Sequence, residues 1–480
     1  MPDRPHVSRV PPAAAGLPLE PGPAETRALT EAVLRFVEAE LASFESRPAH
    51  DLGGVEDAVR AIEEPAPEWG APIQELLPPL GAAVAKSYLT PGPGYLAYIP
   101  GGGLYSAALA DFVACAVNRY TGVRQAAPAL VRLEEVAIGW LAGLMGYPAS
   151  AGGILTSGGS LSNLAAIVTA REARLGDAIA TGVLYVSSET HHSVAKAARI
   201  AGLRSAQVRA VAVDERFRMR PDALALAIRD DAAAGRRPFL VVPSVGTTNT
   251  GAVDPLPEIL EVARAHALWV HCDAAYGGFF RLAPGGASLM PGIEECDSIT
   301  LDPHKGLFLP YGTGCLLVRD RGALLRAHAL GADYLQDVGA GEPSFADLSP
   351  ELSRDFRGLR LWLPLKLHGV AAFREALGEK RALALLAHEA LAAEPELFEI
   401  LDPPQLSVVA FALRGADDAA SAELLRRVNA RGRVFLSSTR LHGRHALRIC
   451  VLSFRTHAER VLDAVAGLVE EARALRAERT

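Results

Sequence analysis

Residues Leu268 to Gly278 read LWVHCDAAYGG: an apolar run closed by Asp273, then Ala274, Ala275, Tyr276, Gly277 and Gly278. A carboxylate at the end of a buried strand is costly unless a cation or a hydrogen-bond donor faces it. A helix N-cap would account for the aspartate. It would not account for the small residues, which leave room beside the carboxylate for something flat.

Runs of the same kind recur on either side: GVLYVSSE (182–189), QVRAVAVD (207–214), PFLVVPSVG (238–246), SITLD (298–302) and GCLLVRD (314–320). Between them lie stretches with helical periodicity, at Ser193–Ala201, Pro221–Ala234 and Leu256–His266. Short apolar strands alternating with helices predict an α/β fold, a mostly parallel sheet wrapped by helices and buried on both faces. Such sheets bind ligands at the carboxyl ends of their strands.

Outward from this centre the pattern changes twice. ETRALTEAVLRFVEAELASF (25–44) is a helix preceded by a proline-rich arm, and PGPGYLAYIPGGG (91–103) is a turn-rich hinge. After about residue 355 a long helix runs through LRLWLPLKLHGVAAFREAL, and then LSVVAFAL, RVFLSSTR and ALRICVLSF read as strands interleaved with helices. The expected organisation is an N-terminal helical segment over 1–95, a large domain over 96–355 and a smaller α+β domain with an antiparallel sheet over 356–480.

Composition narrows the function classes. With 480 residues, half of them apolar, the chain can bury more than one core. Its formal net charge of −7, without charge blocks, offers no basic field for nucleic acid or anionic lipid. Five scattered cysteines (Cys115, Cys272, Cys296, Cys315, Cys450) without a C-x-x-C pair read as reduced thiols, not a disulfide framework or a zinc site. The first residues lack the continuous apolar stretch of a secretory leader, and no later segment of about eighteen apolar residues could span a membrane. A cytoplasmic location is expected. Only five of the 48 basic residues are lysine. Where arginine supplies nearly all positive charge, a lysine marks a place for an amine that can be made neutral and nucleophilic.

Four segments carry polar residues that a buried sheet does not need. TSGGSLSNLAAI (156–167) opens a helix with glycines and hydroxyls and can cradle a phosphate on its N–H groups. SSETHHSVAKAARIAG (187–202) places a histidine pair where an imidazole could stack on a flat ligand, though a capping role explains it as well; adjacent histidines do not suit a metal. Asp273 is the third. His304 and Lys305, in SITLDPHKGLFLPYGTG (298–314), are the fourth, and Thr247 and Thr248 in SVGTTNTGAVDP (244–255) add hydroxyls at one more strand end. A phosphate cradle, a stacking ring, a buried carboxylate and a lone lysine are together what pyridoxal phosphate requires.

These segments, DPHKG after HCDAAYGG and GTTNTGAVDP above all, resemble the group II pyridoxal-phosphate-dependent amino-acid decarboxylases, the family of aromatic-L-amino-acid, histidine, tyrosine and glutamate decarboxylases. The resemblance runs from YLAYIPGGG to the C-terminus. It implies fold type I, an obligate homodimer and an amino-acid substrate. By position, Lys305 would be the Schiff-base lysine, His191 the ring stacked on the cofactor, Asp273 the partner of the pyridine nitrogen, and Ala275 a residue under the ring. Gly158, Gly159, Ser160, Thr248, Asp302 and His304 would complete the cofactor site, and Tyr98, Pro100 and Phe345 the substrate pocket.

The chain departs from that family in three places. Asp302 and Gly306 stand where the aromatic decarboxylases usually have asparagine and often tryptophan, and an acid beside a phosphate is unfavourable unless it bonds elsewhere. Counting back from RDFRGLRLW (354–362), Phe345 falls where the family carries a loop tyrosine that gives the final proton; Tyr334 is the nearest other phenol. The expected reaction is decarboxylation of an L-amino acid to its amine. The alternatives are a decarboxylation-dependent aldehyde synthase, another fold-type-I lyase or aminotransferase, and a non-catalytic pyridoxal-phosphate-binding protein.

Overall fold

The computed structural model describes residues 19–329 and 342–479. The chain divides into two compact units, the first ending at Leu89 and the second starting at Thr90. The first contains the helices Pro23–Ser43, Val55–Arg60 and Ile73–Ala85. Its leading helix was expected over 25–44 and begins two residues earlier because Pro23, with its fixed φ and no N–H to leave unpaired, suits the first helical turn.

The second unit is built on a seven-stranded sheet: β1 (Gly152–Thr156), β2 (Gly182–Ser187), β3 (Val208–Val211), β4 (Arg237–Val242), β5 (Trp269–Asp273), β6 (Ser298–Leu301) and β7 (Gly314–Val318). Their order is β1-β7-β6-β5-β4-β2-β3. All are parallel except β7, which runs antiparallel to both β6 and β1. Every residue of β2, β5, β6 and β7 is buried, as expected of strands covered on both faces. The α/β class with a mostly parallel sheet is thus the one the apolar runs foretold. β1 went unread because two glycines leave GGILT too few apolar residues to register as a strand.

A helix from Gly358 to Ala392, kinked at Gly369 where φ reaches 71°, leads into the smaller sheet. Its strands are β8 (Phe398–Ile400), β9 (Val408–Leu413), β10 (Ser437–Leu441) and β11 (Arg444–Cys450), all antiparallel in the order β10-β11-β9-β8. Phe398 and Phe411 meet edge to face in its core, ring centres 5.5 Å apart. Among the described residues no helix is long and apolar enough to cross a membrane.

The parallel strands all end on one side of the large sheet. Because β7 is reversed, its beginning at Gly314 lies on that side too, opposite Thr156 at the end of β1. The segments following β1, β2, β4, β5 and β6 therefore converge there.

Candidate active site

The convergence encloses a cavity of about 280 Å³ lined by residues from five strand ends. From β1 come Ser157, Gly158, Gly159 and Ser160; from β2, His191 and Ser193; from β4, Gly246 and Thr248; from β5, Asp273, Ala275 and Tyr276; from β6, Asp302, His304 and Lys305. Lys305, Asp273, His191, Ala275, Thr248 and the glycine turn, singled out separately in the sequence, thus line one cavity.

The glycine turn shapes the floor. Gly158 has φ of 153°, a conformation that side chains rarely adopt, and it turns the chain into the helix Gly159–Arg174. A Cβ on Gly159 would lie 3.0 Å from Oδ2 of Asp302 and 3.3 Å from Cβ of Ala275, so the absence of a side chain keeps this corner open. The first N–H groups of a helix have no partners within it and favour an anion.

Lys305 sits on a single turn of helix, Pro303–Gly306, in the loop between β6 and β7. Its Nζ lies 2.8 Å from Oδ2 of Asp302. Asp302 is buried, and its Oδ1 has no hydrogen-bond partner. His304 Nδ1 lies 2.7 Å from the Thr313 carbonyl, and its Nε2 is 3.7 Å from Asp302. Burial holds the His304 imidazole below its usual pKa, against the pull of Asp302.

Asp273 closes β5. One carboxylate oxygen accepts from the Ala275 N–H at 3.2 Å and the other from Asn163 Nδ2 at 3.0 Å. The carboxylate that would have been costly alone is thus met by two donors. His191 caps the next helix: its Nδ1 accepts from the Ser193 N–H at 3.3 Å and lies 2.8 Å from Ser193 Oγ. Burial lowers its pKa, with Asp273 opposing and His192 and Lys305 reinforcing the shift.

The residues expected to line the substrate pocket are placed otherwise. In AYIPG it is Ile99 that faces the cavity; Tyr98 is 53% exposed and Pro100 is buried. Tyr98 adopts φ of 51°, its N–H donating to Ser437 Oγ, so the segment is a turn and not the extended stretch in which alternate residues would share a face. Phe345 opens a short helix, Phe345–Leu348, and is 2% exposed. The Arg354 guanidinium packs over its ring at 4.5 Å and is itself paired with buried Glu134 at 2.6 Å. Phe345 is a core residue, away from the cavity wall. Tyr334 lies outside the described residues. Sequence reasoning missed Asn163, Ser193 and Tyr276. Asn163 follows Gly159 by four positions, one helical turn on, and that spacing was the available signal.

Residues 56–414 match the family model described as the pyridoxal-dependent decarboxylase conserved domain. The chain is 35% identical over 413 residues to the aromatic-L-amino-acid decarboxylase of Bacillus atrophaeus, covering 84% of this chain and 86% of the relative. It is 28% identical over 458 residues to 4-hydroxyphenylacetaldehyde synthase of Rhodiola rosea, covering 92% and 93%. Among solved structures, Oryza sativa TDC with PLP and tryptamine superposes with a TM-score of 0.89 at 28% identity, over 96% of this chain and 99% of that one.

Proposed function

Given that the chain belongs to the pyridoxal-dependent decarboxylase family, and so is an enzyme that decarboxylates an amino acid with pyridoxal phosphate, we propose that its substrate is an aromatic L-amino acid and its product the amine. The supporting observation is the single cavity that brings Lys305, Asp273 and His191 together around the glycine turn. The relatives named for aromatic amino acids, and an apolar share of the lining from Ile99, Leu161 and Tyr276, favour the aromatic class.

The residues present fit the cofactor. The open corner at Gly159, the helix start behind it and the hydroxyls of Ser160 and Thr248 would take the phosphate. Lys305 would hold the aldehyde, Asp273 would face the ring nitrogen, and His191 and Ala275 would lie on the ring's two faces. Bound there, pyridoxal phosphate supplies a ring that takes up the electron pair left when carbon dioxide departs.

The chain's own groups supply position and protons. Lys305 has a counter-ion in Asp302 while its amine is free. His191, its Nδ1 engaged by Ser193, keeps its proton on Nε2. The helix Tyr105–Val117 exposes Leu109, Phe112, Val113 and Val117, spaced as one helical face, which supports a homodimer. Four buried free thiols accord with a reducing cytoplasm.

A second product is worth measuring because of the aldehyde synthase relative. In that reaction oxygen and water are consumed, and aldehyde, ammonia and hydrogen peroxide accompany the carbon dioxide. Phe345 motivated it in the sequence, but a side chain buried beneath Arg354 gives it no support. The test is a panel of aromatic, imidazole, acidic and aliphatic L-amino acids given to the purified enzyme, with carbon dioxide, amine, aldehyde and peroxide measured together. Amine equal to carbon dioxide for aromatic substrates is expected; peroxide equal to carbon dioxide, or turnover confined to acidic substrates, would overturn the proposal.

A further inference from the structure

Three residues of β5, Trp269, His271 and Asp273, alternate and therefore project from the same face of the sheet. All three are buried, as are Ser298 and Thr300, which stand opposite His271 and Asp273 on β6. A polar file through the middle of an apolar sheet persists only if every group is paired. Here it is. Trp269 Nε1 donates to Ser298 Oγ at 2.9 Å; Ser298 Oγ is 2.8 Å from His271 Nδ1; His271 Nε2 is 3.0 Å from Asn163 Oδ1; Asn163 Nδ2 donates to Asp273 Oδ2 at 3.0 Å.

The direction of this file follows from its ends. An indole N–H can only donate, and a carboxylate oxygen can only accept. Asn163 must turn its NH2 toward Asp273, so its carbonyl faces His271 Nε2, which must carry a hydrogen. Thr300 Oγ1, 3.3 Å from the same nitrogen, is a second acceptor for it. Burial drives the His271 pKa down to about 4, so the ring is neutral and Nδ1 is left as an acceptor for the Ser298 hydroxyl. The other Asn163 N–H goes to Ser193 Oγ at 3.1 Å, whose own hydrogen is thereby directed at His191 Nδ1, 2.8 Å away.

We infer that Asn163 is a positioning residue for cofactor binding: its amide joins Asp273 and His191 in one hydrogen-bonded unit, and the file Trp269–Ser298–His271 behind it fixes which way that amide faces. The inference rests on the proposed roles of Asp273 and His191. Its consequence is that Asp273 is held with acceptor oxygens presented to the cavity, while His191 is held in the tautomer with hydrogen on Nε2.

The test uses the full-length protein, reconstituted with pyridoxal phosphate after its removal. Asn163→Leu, close in volume but unable to hydrogen-bond, is expected to raise the cofactor dissociation constant roughly tenfold or more, the scale of lost supporting hydrogen bonds around a bound group. It should also move the visible absorption of the bound cofactor in the same direction as Asp273→Asn. Ser298→Ala, remote from the cavity, should give a smaller shift of the same sign. If Asp273→Asn leaves spectrum and affinity unchanged, the role given to Asp273 is wrong; if Asp273→Asn alters both and Asn163→Leu alters neither, the inference about Asn163 is wrong. Should Asn163→Leu fail to fold, nitrogen-15 histidine spectra of the wild-type protein decide. His271 with hydrogen on Nε2 and a hydrogen-bonded bare Nδ1 supports the file, and the opposite tautomer or an imidazolium overturns it.

Discussion

Nζ of Lys305 lies 2.8 Å from Oδ2 of Asp302, and the same carboxylate borders the place where a side chain on Gly159 would stand. One acid thus faces both the amine and the corner proposed for phosphate. The two demands conflict, because an anion that stabilises the free ammonium repels a second anion in the same corner.

Asp302→Asn should therefore bind pyridoxal phosphate more tightly. The change removes the repulsion and also the ion pair that competes for Lys305, and both effects point the same way. An affinity gain of about tenfold, ~1.4 kcal/mol, is expected from cofactor titration of the apo-protein. Unchanged or weaker binding would mean that the phosphate does not sit beside the Asp302 carboxylate.

Gly159→Ala tests the corner from its other side. The new methyl would stand 3.0 Å from the Asp302 carboxylate and 3.3 Å from the Ala275 methyl, side chains of two buried residues. Overpacking of this kind costs ~1–3 kcal/mol. The expected result is cofactor affinity reduced about tenfold with secondary structure intact by circular dichroism.

His271 makes a prediction in pH. Burial lowers its pKa from an ordinary 6.5 to about 4. As pH falls below 6.5 the unfolded chain takes up a proton that the folded chain refuses until about pH 4, so stability is lost across that window and is flat above it. His271→Asn has no such proton to refuse. The difference in unfolding free energy between wild type and variant should shrink by ~3 kcal/mol from pH 6.5 to 4, measured by urea denaturation at each pH. A constant difference would place a charged imidazole in the core.

Glu134→Gln addresses the anchor beneath Phe345. The Glu134 carboxylate is fully buried against Arg354 and also accepts the Gly358 N–H at 3.1 Å. Removing its charge strands the guanidinium, a loss of ~3–5 kcal/mol for a buried pair. Thermal unfolding should drop accordingly, and Phe345 should become accessible to solvent quenching and proteolysis nearby.

Much of this molecule was legible before its structure. Six strands of the large sheet announced themselves because burial on both faces demands unbroken apolar runs, and the residues proposed for the cofactor stood out because each was a polar side chain that such a strand end does not need. The rest was hidden for physical reasons. β1 is glycine-rich where the chain packs closely, and β8 is only three residues long. Ile99 displaced Tyr98 from the cavity because a turn, unlike a strand, has no fixed period. Asn163 and His271 were invisible because their importance lies in pairing across elements: each looks like an ordinary member of its own helix or strand. Phe345 was misplaced by counting residues through a loop, where sequence distance does not determine direction.

The reversed strand β7 bears on how often the enzyme can repeat its cycle. With β6 it forms a hairpin whose crown, residues 302–313, is stitched to itself by Leu309 N–H to the Pro303 carbonyl at 3.2 Å and His304 N–H to the Thr313 carbonyl at 3.3 Å. Lys305 rides on that crown with both flanks anchored in the sheet. If Lys305 holds the cofactor aldehyde as proposed, its release would ask only the four methylenes of one side chain to swing aside and back. Resetting the site would then be a matter of rotamer changes, far faster than the loop and domain motions that pace many enzymes.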